Sequence, residues 1–159
     1  LLSKYIAIEI GNLHKENIRV SVMGRIEGLP ERAATDLRRS IELTSHNTAM
    51  TLNLAINYGG RAEIADAAKR IAQEVAAGTL QPEAIDEACV ARHLYCPELP
   101  DLDLMIRTSG ELRISNFMLW QVSYAELVVT QALWPDFRKQ QLYEAIAEYQ
   151  SRSRRFGGR

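Results

Sequence analysis

The apolar positions of this chain change their period several times along its length. Leu2, Ile6, Ile10 and Leu13 recur at helical steps, whereas Ile18-Arg19-Val20-Ser21-Val22 alternates apolar with polar until Gly24 closes the run. The first pattern predicts a helix and the second a strand. Pro30 opens the next helical segment at a first-turn position, with Ala33, Leu37, Ile41 and Thr44 as its inward stripe. Residues 51–56 read as a second strand, ending at Asn57-Tyr58-Gly59-Gly60. A helix with Ile64, Ala68, Ile71 and Val75 on one face follows, and Gly78 stops it. Another helix is predicted from Pro82, carrying Ile85 and Val90. Residues 103–107 form a short apolar run of the kind found in strands buried on both faces. An aromatic-rich stretch, 117–124, precedes a strand-like 127–130, and a last helix is predicted from an N-cap at Asp136, with Leu142, Ile146 and Tyr149 inward.

Strands alternating with helical segments, joined by crossovers of a dozen residues or more, imply an α/β fold with a parallel β-sheet flanked by helices. Ligands of such sheets gather at the carboxyl ends of the strands. Two loops occupy that place, one after Ile56 and one after Ile106.

Composition narrows the picture. The 159 residues are 47% apolar and 25% charged, with a formal net charge of −1, as in an ordinary globular domain. That balance argues against a nucleic-acid partner, which selects a basic excess. No apolar run approaches the roughly 18 residues of a membrane-spanning helix, and a secretory leader is not seen, so a cytoplasmic setting with at most peripheral membrane contact is expected. The chain starts on Leu1 instead of Met, so the native protein is expected to begin upstream. Cys89 and Cys96 are too few for a disulfide scaffold or zinc knuckle and read as buried thiols. His14, His46 and His93 show no metal-ligand spacing, and Asn57-Tyr58-Gly59-Gly60-Arg61 reads as a structural turn.

The richest chemistry lies in Arg107-Thr108-Ser109-Gly110-Glu111-Leu112-Arg113-Ile114-Ser115-Asn116. Two guanidinium groups, three hydroxyls and a permissive glycine at the end of a strand are the residue set of a phosphate or diphosphate cradle. Ser115 or Asn116 could also cap a following helix whose N-terminus favours an anion. The competing reading is a solvated loop whose arginines pair with Glu111 and nearby carboxylates. Glu126 sits among Ser123, Tyr124, Ala125 and Leu127, where a carboxylate needs a cation: either an arginine such as Arg113, or Mg²⁺ shared with substrate phosphate. The tail 151–159 holds four arginines and no acid, leaving −5 on the remainder.

The stretch DLMIRTSGELRISNFMLWQVSYAELVVTQALWPDF, residues 103–137, resembles the C-terminal motif of cis-prenyltransferases, above all the bacterial undecaprenyl diphosphate synthases (isoprenyl transferases). The likeness extends upstream through 52–61 and downstream to Arg154-Arg155-Phe156-Gly157-Gly158. It implies an undecaprenyl diphosphate synthase-like fold. It also implies successive condensation of isopentenyl diphosphate onto an allylic diphosphate, usually farnesyl diphosphate, with cis double bonds and Mg²⁺ assistance. By the same resemblance Arg107, Arg113 and Ser115, with Ile114 between them, hold the isopentenyl diphosphate. Glu126 is then the Mg²⁺ ligand, and Arg113 and Glu126 serve catalysis. Arg155 and Gly157 match a pattern that reaches a neighbouring active site in a dimer, so a homodimer is expected. The family's opening Asp-Gly-Asn-Gly-Arg-Trp motif has no counterpart here. The expectation is therefore one N-terminally truncated family domain over 1–159 with a basic tail at 151–159. Such a fragment is expected to lack turnover by itself although the full-length protein has it. The alternative is a non-catalytic partner subunit of a heteromeric enzyme, against which the intact Arg107, Glu111, Arg113, Ser115 and Glu126 speak.

Overall fold

The helical period of the first fifteen residues and the alternation that follows it are both realised in a computed structural model, which describes residues 2–152. Helix α1 (Leu2–Lys15), strand β1 (Ile18–Met23), helix α2 (Glu31–Thr44), strand β2 (Met50–Ala55), helix α3 (Gly60–Ala76) and the short helix α4 (Glu87–Arg92) come first. Strands β3 (Leu104–Arg107) and β4 (Glu126–Val129) and helix α5 (Lys139–Ser151) follow. The chain divides into two compact units, Leu1–Glu98 and Leu99–Arg159.

The parallel α/β class is as expected, and its strands form two ladders of two strands, one in each unit. In the first unit β1 and β2 run parallel from Ile18 opposite Met50 to Met23 opposite Ala55, with α2 as the crossover. Helices α1 and α2 pack beside β1. The buried stripe of α2 is Ala34, Leu37, Ser40 and Thr44, turned slightly from the expected one. Two polar residues can be buried there because their hydroxyls are satisfied. Ser40 donates to the Asp36 carbonyl, Thr44 donates to that of Ser40, and the Thr44 oxygen accepts the Val20 N–H at 2.9 Å.

The inward face of α3 also differs: it is Gly60, Glu63, Ala67 and Ile71, while Ile64 is partly exposed. A buried acid displaced the apolar register. The segment expected as one helix from Pro82 is a single 3-10 turn, Pro82–Ala84, followed by α4. Asp86 separates them because its carboxylate accepts the Cys89 N–H at 2.7 Å and so starts a new helix.

In the second unit β3 and β4 are parallel from Leu104 opposite Glu126 to Arg107 opposite Val129, and α5 packs on β4. The connection 108–125 contains a 3-10 turn, Gln121–Tyr124, and no α-helix. Helix α5 starts at Arg138 and not at Asp136, which lies in the 3-10 turn Trp134–Asp136. The Gln141 side chain accepts the Arg138 N–H at 2.9 Å, one half of a capping box, while Asp136 is taken up in the preceding 3-10 turn. Ala145 is its buried residue, and Leu142 is partly exposed.

Candidate functional site

The end of β3 brings Arg107 and Ser115 together. The Arg107 Nη2 donates to the Ser115 hydroxyl over 3.5 Å, and its Nε–H is buried without a partner among the described residues. A buried donor left open in a native fold calls for an absent acceptor. The loop is folded back on β4: Ser109 N–H donates to the Ala132 carbonyl and Gly110 N–H to that of Thr130, each at 2.9 Å. Gly110 has φ +64°, where an L side chain is strained, and a Cβ there would push aside the Gln131 side-chain oxygen 2.5 Å away.

Strain concentrates in the same stretch. Ser109, Ser115, Asn116 and Met118 all have φ between 47° and 65°. Residues held in the left-handed region cost about 1–3 kcal/mol each and gather at ligand clamps. The same conformations overturn the expected helix after Ser115 and Asn116: left-handed residues cannot start one, and nothing helical follows before Gln121.

Arg113 lies further out, 72% exposed, with its Nη1 2.6 Å from Glu111. Ile114 is half-buried beside it, its carbonyl accepting the Phe117 N–H at 3.0 Å. Of the two kinds of partner open to Glu126, an arginine is present, and it is Arg152 instead of Arg113. The Glu126 carboxylate accepts from Arg152 Nη1 at 2.9 Å, and among the described residues no three His, Cys, Asp or Glu side chains converge. Arg155 and Gly157 lie outside the described residues.

The register then separates the two halves of the expected site. Arg107 closes β3 at its carboxyl end, while Glu126 opens β4 at its amino end, opposite Leu104. An offset of three residue steps along the strand amounts to about 10 Å, and an odd offset puts their side chains on opposite faces of the ladder. Periodicity alone did not reveal this, because it depends on which residue of β3 pairs with which of β4.

The first unit holds most of its charged groups in closed networks, although the Asn53 Oδ1 is buried without a partner among the described residues. Arg25 clasps Asp66 through Nε and Nη2 at 2.9 and 2.8 Å, and the Tyr95 hydroxyl donates to the same carboxylate. Arg25 foremost, then Tyr95, draws the Asp66 carboxyl down to about 2. Glu63, completely buried, accepts the Tyr58 hydroxyl at 2.6 Å and the Tyr95 N–H at 2.9 Å. An open cleft of about 370 Å³ is lined by Arg70, His93, Tyr95 and Cys96 among others. There Arg70 donates to the His93 carbonyl and covers the Tyr95 ring. Both cysteines are free, and burial pushes the Cys96 thiol up.

Against known proteins, residues 1–157 match the family model for undecaprenyl diphosphate synthase. The chain belongs to that family. It is 49% identical over 158 residues to an isoprenyl transferase of Halalkalibacterium halodurans, covering 99% of this chain and 62% of that protein. It is 51% identical over 146 residues to a trans,polycis-polyprenyl diphosphate synthase, (2Z,6E)-farnesyl diphosphate specific, of Thermobifida fusca, covering 92% of this chain and 52% of the relative. Among solved structures, lavandulyl diphosphate synthase from Lavandula x intermedia, in complex with dimethylallyl diphosphate, superposes with a TM-score of 0.95 at 37% identity. That match covers 99% of this chain and 68% of the other. The chain thus spans between about half and three fifths of the length of these curated family members. No helix among the described residues is long and apolar enough to cross a membrane.

Proposed function

We propose that this chain is the isopentenyl-diphosphate-binding part of a cis-prenyltransferase that extends an allylic diphosphate, farnesyl diphosphate being the natural starter. The observation that carries this reading is the buried, unpartnered Nε–H of Arg107 beside the Ser115 hydroxyl, on a strained loop at a strand's carboxyl end. Arg107, Arg113 and Ser115 would grip the diphosphate of the isopentenyl unit, with the Ile114 backbone between them. Fixing that diphosphate orients the carbon nucleophile, which is how proximity lowers a bimolecular barrier. Arg113 would exchange its exposed contact with Glu111 for the ligand.

Glu126 fits a Mg²⁺ ion in one respect that this chain displays: its carboxylate already balances a cation, that of Arg152. Mg²⁺ takes one or two carboxylates and completes its shell with phosphate oxygens and water. When bound it supplies charge neutralisation for the departing diphosphate.

The ladder register supports a homodimer with shared sites. One copy offers Arg107 and Glu126 on opposite faces and at opposite ends of β3–β4, whereas two copies related by a twofold axis could present one residue each to a single diphosphate. The second unit also leaves Leu112, Tyr124 and Trp134 81%, 74% and 73% exposed, and exposed apolar side chains of this size favour a covered surface.

Complementation in the native full-length protein tests both points. Arg107→Ala and Glu126→Gln should each abolish isopentenyl transfer alone. Co-expressed, they should restore about a quarter of normal turnover, because half the dimers are mixed and each mixed dimer has one intact site. No recovery would overturn the shared site. Full activity in either single variant would overturn the reading itself.

A further inference from the structure

Arg152 is the residue at which α5 ends, extended at φ −86° and ψ 140°, with its N–H on the Tyr149 carbonyl at 3.2 Å. Its guanidinium bridges three acceptors. Nη1 reaches Glu126 Oε2 at 2.9 Å and the Leu127 carbonyl at 3.0 Å, while Nη2 holds Glu148 one helical turn back. The ion pair with Glu126 is partly shielded, the two side chains being 35% and 26% exposed. A carboxylate so placed, only partly hydrated, is stabilised by a positive partner. The chain provides one that is fixed at its base by the helix end and has a second anchor.

We propose that Arg152 is a tethered stand-in for the divalent cation at Glu126: it neutralises this carboxylate while the metal is away and yields it when the metal arrives. The inference rests on the reading of Glu126 as a metal-binding residue. Two features keep the free-energy cost of the exchange small. Glu148 and the Leu127 carbonyl keep hold of the guanidinium after Glu126 is released, so no cation is stranded. Glu126 is bonded through Oε2, and the other carboxylate oxygen carries no partner among the described residues, which leaves an approach for the incoming ion. Arg152 is therefore a positioning residue that sets metal affinity; it is not a metal ligand. It is also the first of the four arginines in the tail 151–159.

The competition predicts effects of opposite sign for two neighbouring residues. Mn²⁺ binding to the native full-length protein, with inorganic diphosphate held constant, can be followed by the loss of the free-ion paramagnetic resonance signal. Arg152→Gln should tighten Mn²⁺ about two- to fivefold, the range set by a partly exposed ion pair. Glu148→Gln removes the rival anchor, so Arg152 grips Glu126 harder and Mn²⁺ should bind more weakly. Arg152→Lys should fall between wild type and Arg152→Gln. Unchanged or weaker Mn²⁺ binding in Arg152→Gln, in protein whose thermal melt shows it folded, would overturn the stand-in role. Glu126→Gln separates the two failures: if it leaves Mn²⁺ binding intact, the metal reading of Glu126 is the one that fails. If Arg152→Gln misfolds, Glu148→Gln decides the matter, and tighter binding there would refute the idea.

Discussion

Arginine does opposite work in the two units. Arg25 lies against Asp66 with two short bonds, and the Tyr95 hydroxyl closes the group from the other side. Arg107 ends a strand with a buried Nε–H that nothing in the described chain accepts, and Arg113 reaches only Glu111, two residues away. The first unit closes its networks across tens of residues: Glu63 ties Tyr58 to the segment at Tyr95, and the two tyrosine rings also meet edge to face. The second holds donors open on a loop whose residues at 109, 110, 115, 116 and 118 all have positive φ. Groups that hold a fold together are satisfied by the fold, and groups that hold a ligand await one. Mutations in the two units should therefore divide cleanly between stability and binding.

The largest effect is expected at Glu63. Replacing it by alanine takes an acceptor from the Tyr58 hydroxyl and from the part-buried Tyr95 N–H and opens space at a fully buried position. Each unsatisfied group costs about 1–3 kcal/mol, so the loss should reach about 2–5 kcal/mol. For a chain of this size that is roughly 5–15 °C in melting temperature. Affinity for isopentenyl diphosphate, measured by calorimetry well below the melt, should stay within twofold. A parallel collapse of affinity would show that the two units are not separable in this way.

Arg107→Ala should give the mirror image. The variant loses a charge-assisted grip on diphosphate, about 1.5–3 kcal/mol, or roughly 10- to 150-fold in dissociation constant. Stability should hardly change, because the native arginine leaves a buried donor unsatisfied and its removal relieves that cost. Arg113→Ala should weaken binding less, since its guanidinium starts 72% exposed and must be ordered on the ligand. If Arg107→Ala melts several degrees lower with unaltered affinity, Arg107 belongs with Arg25 as a structural cation.

The same contrast explains what could be read from the residues alone. Strands β1 to β4 were legible because alternation and short apolar runs are local properties, and Arg107, Arg113 and Ser115 stood out as residue types suited to an anion. The inward face of α3 was not, because a completely buried Glu63 is tolerated only through partners that come from Tyr58 and, 32 residues on, Tyr95. The break at Asp86 and the start of α5 at Arg138 were hidden for a milder reason: a cap is one side-chain bond, and two nearby residues competed for it. The partner of Glu126 was the least legible. Arg113 is closer along the chain, but Arg152 is the one that α5 carries back against β4. Register, caps and long-range ion pairs are properties of the folded chain, and no period encodes them.

The smallest predicted effect lies in the first unit, where one network responds to pH. His93 uses both ring nitrogens: Nδ1 donates to the Cys89 carbonyl at 2.7 Å, and Nε2 lies 3.1 Å from the Glu74 carboxylate. The Cys89 carbonyl first, and Glu74 second, favour the protonated ring and raise its pKa above the ordinary value of 6.5. In the unfolded chain the ring titrates near that ordinary value. Below it the ring is charged in both states and the stabilisation is complete. As pH rises through the raised native value the ring loses its proton and the contribution disappears. Glu74 is about half exposed, so the pair is partly screened and the effect is modest. Urea denaturation of wild type and His93→Gln at successive pH values should give a stability difference that is largest below the ordinary histidine range and shrinks as pH rises through the raised native value. High salt should flatten that curve by screening the Glu74 contact. A difference that stays constant across the range would mean that His93 contributes packing and its carbonyl bond but no charge, and the first unit would then owe its tight polar networks to Asp66 and Glu63 alone.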